Sequence, residues 1–219
     1  MKINIAIDGP SAAGKSTIAK LLAKKLNYSH LDTGAMYRCV GYQANRSNID
    51  TNDAAALAKM IDGMEIDFDS KGNVYINGED VSSAIRQNQV SMLASSVSVH
   101  PEVRERLVAM QRKIAENKGY IMDGRDIGTV VLPQAELKVF MIASVEARAQ
   151  RRYQEYISKG IEADYKEIYD DIEKRDYQDI HRSVSPLKKA DDALELDTSD
   201  MTVEEVEEAI EKMIDSIKM

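Results

Sequence analysis

Residues Gly9-Pro10-Ser11-Ala12-Ala13-Gly14-Lys15-Ser16 have the spacing G-x-x-x-x-G-K-[ST], which suits a backbone wrapped around a phosphate. The glycines permit the tight curl, and successive N–H groups then point at phosphate oxygens. A helix starting at the end of the loop adds its positive terminus, where N–H groups lack intrahelical partners. In this pattern Lys15 is a mobile cation for β- and γ-phosphates, and the Ser16 hydroxyl is the expected Mg²⁺ ligand. Thr17 offers a second hydroxyl beside it, so the sequence leaves the choice between them open. The flanks agree with the motif. Lys2 to Asp8 is apolar enough for a buried strand. From Thr17 to Leu26, Ile18, Leu21, Leu22 and Leu26 fall on one helical face.

Further charges cluster near other expected strand ends. Gly119 to Asp123 reads as a buried strand ending in an acid, followed by Gly124-Arg125-Asp126. Enzymes using Mg²⁺-nucleotides place such an aspartate beside the phosphate loop, where it holds the metal's water shell. Thr33 and Arg38 would lie just past a short strand, Tyr28 to Asp32, where open α/β sheets bind ligands. Arg148, Arg151 and Arg152 share a helical face. Such crowding calls for an anion or for pairing with Glu146 and Glu155. Arg175, Asp179 and Arg182 form one stripe if their helix continues, either self-satisfied or clamping a ribose and a phosphate. Two arginine-rich helices joined by a loop at Lys159 to Ala163 suggest a lid. Arg104, Arg106 and Arg112, on a helix opened by Pro101, read most simply as solvated charges.

The elements that must position these groups alternate strand and helix, which predicts an α/β fold with a doubly wound, five-stranded parallel sheet. The last two strands are expected at Leu137 to Ala143 and Ala193 to Asp197, and Val203 to Ile217 closes the chain as an amphipathic helix. One stretch breaks the rhythm. Met64 to Phe68 and Val74 to Gly78 alternate around the turn-like Ser70-Lys71-Gly72-Asn73, as in an antiparallel insertion. It is either decoration or a substrate-side subdomain. Val81 to Gln89 and Ser91 to Val99 read as helical. The whole is expected to be one unit, with a core at 1–61, 87–147 and 190–219, an insertion at 62–86 and a lid at 148–185.

Composition narrows the function. A net charge of −8 over 219 residues argues against a general nucleic-acid or acidic-membrane surface. The single cysteine, Cys39, reads as a small buried hydrophobe in a protein of the reducing cytoplasm. No apolar run is long enough to span a bilayer. His30, His100 and His181 lack sequence partners and receive no catalytic role, and no Cys/His metal cluster occurs. Several arginines, a phosphate loop and an Asp-ended strand together suit phosphoryl transfer to a phosphate oxygen, which needs positioning and charge neutralisation more than acid–base chemistry. Lys15, Asp123, Arg148 and Arg152 are the candidate catalytic residues. Asn117-Lys118 is followed by Gly119-Tyr120, so the guanine-reading N-K-x-D is absent.

Four stretches, Asp8 to Thr17, Leu31 to Arg38, Asp123 to Val131 and Arg175 to Arg182, together resemble the bacterial cytidylate kinase family over nearly the whole chain. The resemblance implies ATP-dependent, Mg²⁺-dependent phosphorylation of CMP and dCMP, with a core, a CMP-binding insertion and a lid. By that resemblance Gly9 to Thr17 hold the ATP phosphates. Thr33, Arg38 and Arg125 hold the CMP phosphate, while Ser95, Arg104 and Asp126 read cytosine. Arg175, Asp179 and Arg182 engage phosphate and sugar. Arg104 thereby becomes an expected base contact. Thr33 stands where some relatives have serine, and Ser16 where relatives often have glycine. A monomer acting on small molecules alone is expected. The competing readings are a kinase for another monophosphate or metabolite and an ATP-binding module without catalysis.

Overall fold

In the computed structural model, which describes residues 2–69 and 72–218, the apolar run ahead of the phosphate loop forms β1 (Ile5–Asp8), buried along its whole length. It is followed by α1 (Lys15–Leu26), β2 (Ser29–Asp32), α2 (Thr33–Arg46) and α3 (Ala54–Asp62). Three short strands come next, β3 (Ile66–Phe68), β4 (Val74–Ile76) and β5 (Glu79–Asp80), and then α4 (Asn88–Val97) and α5 (Pro101–Ala115). The chain continues through β6 (Tyr120–Gly124), β7 (Leu137–Ile142), α6 (Val145–Ser158), α7 (Tyr165–His181), β8 (Leu194–Asp197) and α8 (Val203–Lys218). Two compact units result, residues 1–30 with 118–219, and residues 31–117.

The first unit is built on a five-stranded sheet of order β2-β6-β1-β7-β8. β1 pairs in parallel with β6 on one side and β7 on the other, and β7 with β8. A central parallel strand covered on both faces must be apolar throughout, which explains the run Ile5-Ala6-Ile7. Against it pack Ile18 and Leu22 of α1 and Val206, Ile210 and Ile214 of α8. A smaller cluster joins Ala149 of α6 to Ile168 and Ile172 of α7.

The second unit packs α2 against α4, and α3 and α2 against α5. A Cβ at Gly41 would lie 2.9 Å from the Ala94 nitrogen and from the Leu93 Cβ, so glycine lets α2 and α4 approach closely. Cys39 is fully buried here and is not disulfide-bonded. Burial pushes its thiol up to about 12, consistent with a packing role.

The antiparallel insertion is present as a sheet of order β3-β4-β5; Ser70 and Lys71 of its expected turn lie outside the described residues. The helix expected over Val81 to Gln89 does not form. Only a 3₁₀ turn, Ala84–Arg86, stands there, and α4 begins at Asn88. The Ser82 N–H and hydroxyl both bind Asp80 Oδ1, at 2.9 and 2.6 Å, and the Val81 N–H bonds to the Val74 oxygen of β4. This local pairing competes with helical hydrogen bonds.

A π-helical turn, Ile127–Val131, follows β6, with Leu132 N–H bonded to the Ile127 oxygen at 2.7 Å. The end of β1 holds its start. Asp8 accepts the N–H groups of Ile127 and Gly128, both at 2.7 Å, which a helical start would otherwise leave unpartnered. Burial raises the Asp8 carboxyl to about 6, with the Gly128 and Ile127 hydrogen bonds opposing the rise and the Asp126 charge adding to it. A folded-state pKa above the unfolded value stabilises the protonated protein, and that contribution is lost as pH climbs from about 4 through about 6. Wild type should therefore lose about 2 kcal/mol relative to Asp8→Asn between pH 4 and pH 7, read by urea unfolding. A gap independent of pH would contradict the raised pKa.

Candidate active site

The phosphate loop departs from β1 through backbone that few side chains tolerate. Gly9 has φ 150°, and a Cβ there would lie 2.0 Å from the Met141 oxygen of β7. Ala12 and Gly14 have φ 59° and 89°, and such left-handed residues help turn consecutive N–H groups into a concave anion nest. α1 starts at Lys15 with no side-chain cap and no acid in its first turn, which leaves its positive end suited to an anion. Lys15 is 5% exposed and donates to the Pro10 oxygen at 2.6 Å. Burial, with the nearby Arg125 charge, lowers its ammonium to about 7 against the opposing pull of Asp123, Asp8 and Asp179. A polyphosphate in the loop would favour the charged form.

Beside the loop, the Ser16 hydroxyl donates to Asp123 Oδ2 at 2.6 Å, whereas Thr17 is exposed. The hydroxyl facing the acid at the end of β6 is thus Ser16. This pair of hard oxygens fits Mg²⁺, which takes one or two protein oxygens and completes its shell with water and phosphate. Among the described residues no group of three or more His, Cys, Asp and Glu is arranged to hold a metal by itself. On the other side of the carboxylate, His30 Nε2 lies 2.6 Å from Asp123 Oδ1. Sequence reasoning gave His30 no partner. The pairing depends on β2 lying next to β6, with the Ser29 N–H on the Gly119 oxygen at 2.9 Å. Only the strand order reveals it.

The arginines of α6 do not share one role. Arg148, 3% exposed, donates to the Ser11 oxygen at 3.1 Å and the Ala143 oxygen at 2.9 Å, and pairs with Asp176 of α7 at 2.6 Å. Arg151 turns to the Thr198 backbone oxygen and hydroxyl, and Arg152 is half-buried. The expected common face is therefore split. Of the expected partners, Glu155 pairs with Lys159, while Glu146 accepts from the Tyr169 hydroxyl and lies within the field of Arg148. Arg148 is three residues after the start of α6, close enough to reach back to the loop as well as across to α7.

A second cluster forms past β6. Arg125 donates to Asp179 Oδ2 at 2.6 Å. Burial alone would raise the Asp179 carboxyl, but the Arg125 charge and hydrogen bond, with Arg182 and Arg175, hold it below the usual carboxylate range. Arg182 lies 3.9 Å from both Asp126 and Asp179. It is not the third member of a helical stripe, because α7 ends at His181 and Arg182 is extended, with φ −62° and ψ 140°. Arg175 is half-buried on α7.

In the second unit Asp32 caps α2, its Oδ1 accepting the Ala35 N–H at 3.0 Å, while its Oδ2 holds Arg38 at 2.6 Å. Thr33 is buried at the start of α2, and Ser95 is half-buried on α4. Arg104 corrects the reading as a solvated charge. It is 4% exposed, donates to the Ser98 oxygen at 3.3 Å and lies 5.5 Å from the centre of the Tyr37 ring. The buried face of α5 runs through Val103, Arg104, Leu107, Val108 and Gln111. Arg106 does meet the bland expectation, paired with Asp62 at the surface.

A family profile described as Cytidylate kinase matches residues 5–218. A relative named cytidylate kinase from Streptococcus uberis is 52% identical over 221 residues, covering 97% of this chain and 98% of the relative. Another of that name from Caldicellulosiruptor saccharolyticus is 52% identical over 208 residues, covering 94% and 92%. Among solved structures, a shikimate kinase from Bacteroides thetaiotaomicron shares the fold at 14% identity, with TM-score 0.50 and full coverage of both chains. The match spans the phosphate loop, the Asp-ended strand and both arginine clusters, and the chain belongs to the cytidylate kinase family.

Proposed function

We propose that the chain transfers the γ-phosphoryl group of ATP to a phosphate oxygen of CMP or dCMP, releasing ADP and CDP or dCDP. The observation that carries this reading is the full-length match to proteins named cytidylate kinase, joined to an intact phosphate loop. Gly9 to Thr17 wrap the donor phosphates, and Lys15 supplies charge to the β- and γ-phosphates. Ser16 and Asp123 are the residues that would hold Mg²⁺. Mg²⁺ held there would supply neutralisation of charge on the donor phosphates.

The chain's own groups do the rest by positioning. Arg148 and Arg152 meet the transferring phosphoryl, and residues 148–185, which hold most of α6 and all of α7, serve as a lid that excludes water. Thr33, Arg38 and Arg125 take the acceptor phosphate. Arg175, Asp179 and Arg182 take phosphate and sugar. Ser95, Arg104 and Asp126 read cytosine, whose ring carbonyl accepts and whose exocyclic amine donates, so an arginine and an aspartate are apt partners. The 62–86 insertion serves the acceptor side. The single cysteine, Cys39, suits the reducing cytoplasm. No helix among the described residues is long and apolar enough to cross a membrane.

The test is ADP release with Mg·ATP and a panel of CMP, dCMP, UMP, AMP and GMP. Fast turnover with CMP and dCMP and little with purines is expected, because a polar pocket rejects mismatched hydrogen bonding strongly. Comparable rates with AMP or GMP would discard the cytosine reading, and none with any would discard the monophosphate kinase. Lys15→Ala should cost at least about 100-fold in kcat, the scale for removing a charge-stabilising group, with circular dichroism unchanged; full activity would falsify the phosphate-loop role. Asp126→Ala should raise the KM for CMP at least about tenfold, the cost of roughly 1.4 kcal/mol, and leave ATP binding within twofold. Equal loss of both would move Asp126 to the core or the metal.

A further inference from the structure

We infer that His30 is a positioning residue that fixes the Asp123 carboxylate for the metal-nucleotide. The idea rests on the Mg·ATP reading above. Asp123 sits at the end of β6, 4% exposed, and is gripped from two sides. The Ser16 hydroxyl holds Oδ2 at 2.6 Å, and His30 Nε2 holds Oδ1 at 2.6 Å. The carboxylate torsion of aspartate is broad, with no strongly preferred staggered state. Strand geometry therefore places the Asp123 backbone without setting the plane of its oxygens. Two anchors on different oxygens do set it. A carboxylate only accepts, so Nε2 carries the proton in this contact.

His30 is held in its turn. It lies in β2, anchored beside β6 by the Ser29 N–H on the Gly119 oxygen, and its side chain is only 12% exposed. A long, mobile side chain could reach Asp123 as well, but would lose more rotamer freedom in doing so. Partners behind a metal-directed carboxylate orient it, and their removal costs about 10- to 100-fold in metal affinity or activity. His30 touches Asp123 from the side opposite Ser16's contact, so its effect should appear in the metal's contribution to nucleotide binding.

The experiment compares ADP binding by the full chain with Mn²⁺ and with EDTA, by calorimetry, for wild type, His30→Leu and His30→Gln. The ratio of the two affinities isolates the metal's contribution. His30→Leu should reduce that ratio about tenfold, the lower end of the range for such partners, with metal-free ADP affinity within twofold of wild type. His30→Gln, whose Nε2 can donate from a similar reach, should restore most of it. An unchanged ratio in a His30→Leu protein that melts like wild type would overturn the inference. So would an equal loss with and without metal, which marks a purely structural histidine. The ratio is read without turnover, so a wrong acceptor assignment would sink the kinase reading and leave this result standing.

Discussion

Burying ionised groups at the carboxyl ends of a parallel sheet is the constraint on which the first unit depends. Asp8, Lys15, Asp123 and Arg148 are each 5% exposed or less, and an uncompensated buried charge costs several kcal/mol. Each is accordingly held by a named partner. Asp8 takes two backbone N–H groups, Lys15 gives to a loop carbonyl, Asp123 is gripped on both oxygens, and Arg148 is shared between two carbonyls and Asp176. The lowered lysine and raised aspartate are the residue of that burial, and an anion arriving in the loop would raise both, favouring charged lysine and neutral aspartate.

The same contacts make distant parts of the chain answer to one another. Arg148 bonds to the Ser11 oxygen within the phosphate loop and to Asp176 on α7, so the loop and α7 share one guanidinium. Asp8, immediately before the loop, holds the turn that begins beside Asp126. The loop and the residue before it are thus tied both to α7 and to the segment carrying Arg125 and Asp126.

What was legible in the sequence follows from what is local. The phosphate loop, the central strand and the amphipathic α1 and α8 are fixed by short-range spacing, and all were readable except that Leu21, expected on the buried face of α1, is exposed. The second unit was harder. The failed helix after β5 turned on the competing Asp80–Ser82 turn. Arg104 was misread because one residue, a rotation of about 100° on a helix, separates a buried arginine from a solvated one, and only the packing of α5 decides which. His30 was invisible for a different reason. Its partner is 93 residues away, and their meeting is set by strand order, which propensity does not encode. Resemblance supplied Arg104's proposed role but not its burial, and it supplied nothing for His30.

Several arginines assigned to phosphate are each held by a carboxylate of their own unit, Arg38 by Asp32, Arg125 by Asp179 and Arg148 by Asp176, all at 2.6 Å. Such pairs weaken the bare electrostatic pull on an arriving phosphate, since an arginine already neutralised gains less from a new anion. They also keep a long side chain extended in one rotamer, and a guanidinium offers five donors, enough to serve a carboxylate and a phosphate together. The ordering cost is then met in folding rather than at each binding event. Pairing also keeps several like charges from repelling one another when no ligand is bound. For an enzyme that must release a diphosphate after every turnover, arginines that are oriented but partly compensated fit better than bare cations, which would hold the product as firmly as the transition state.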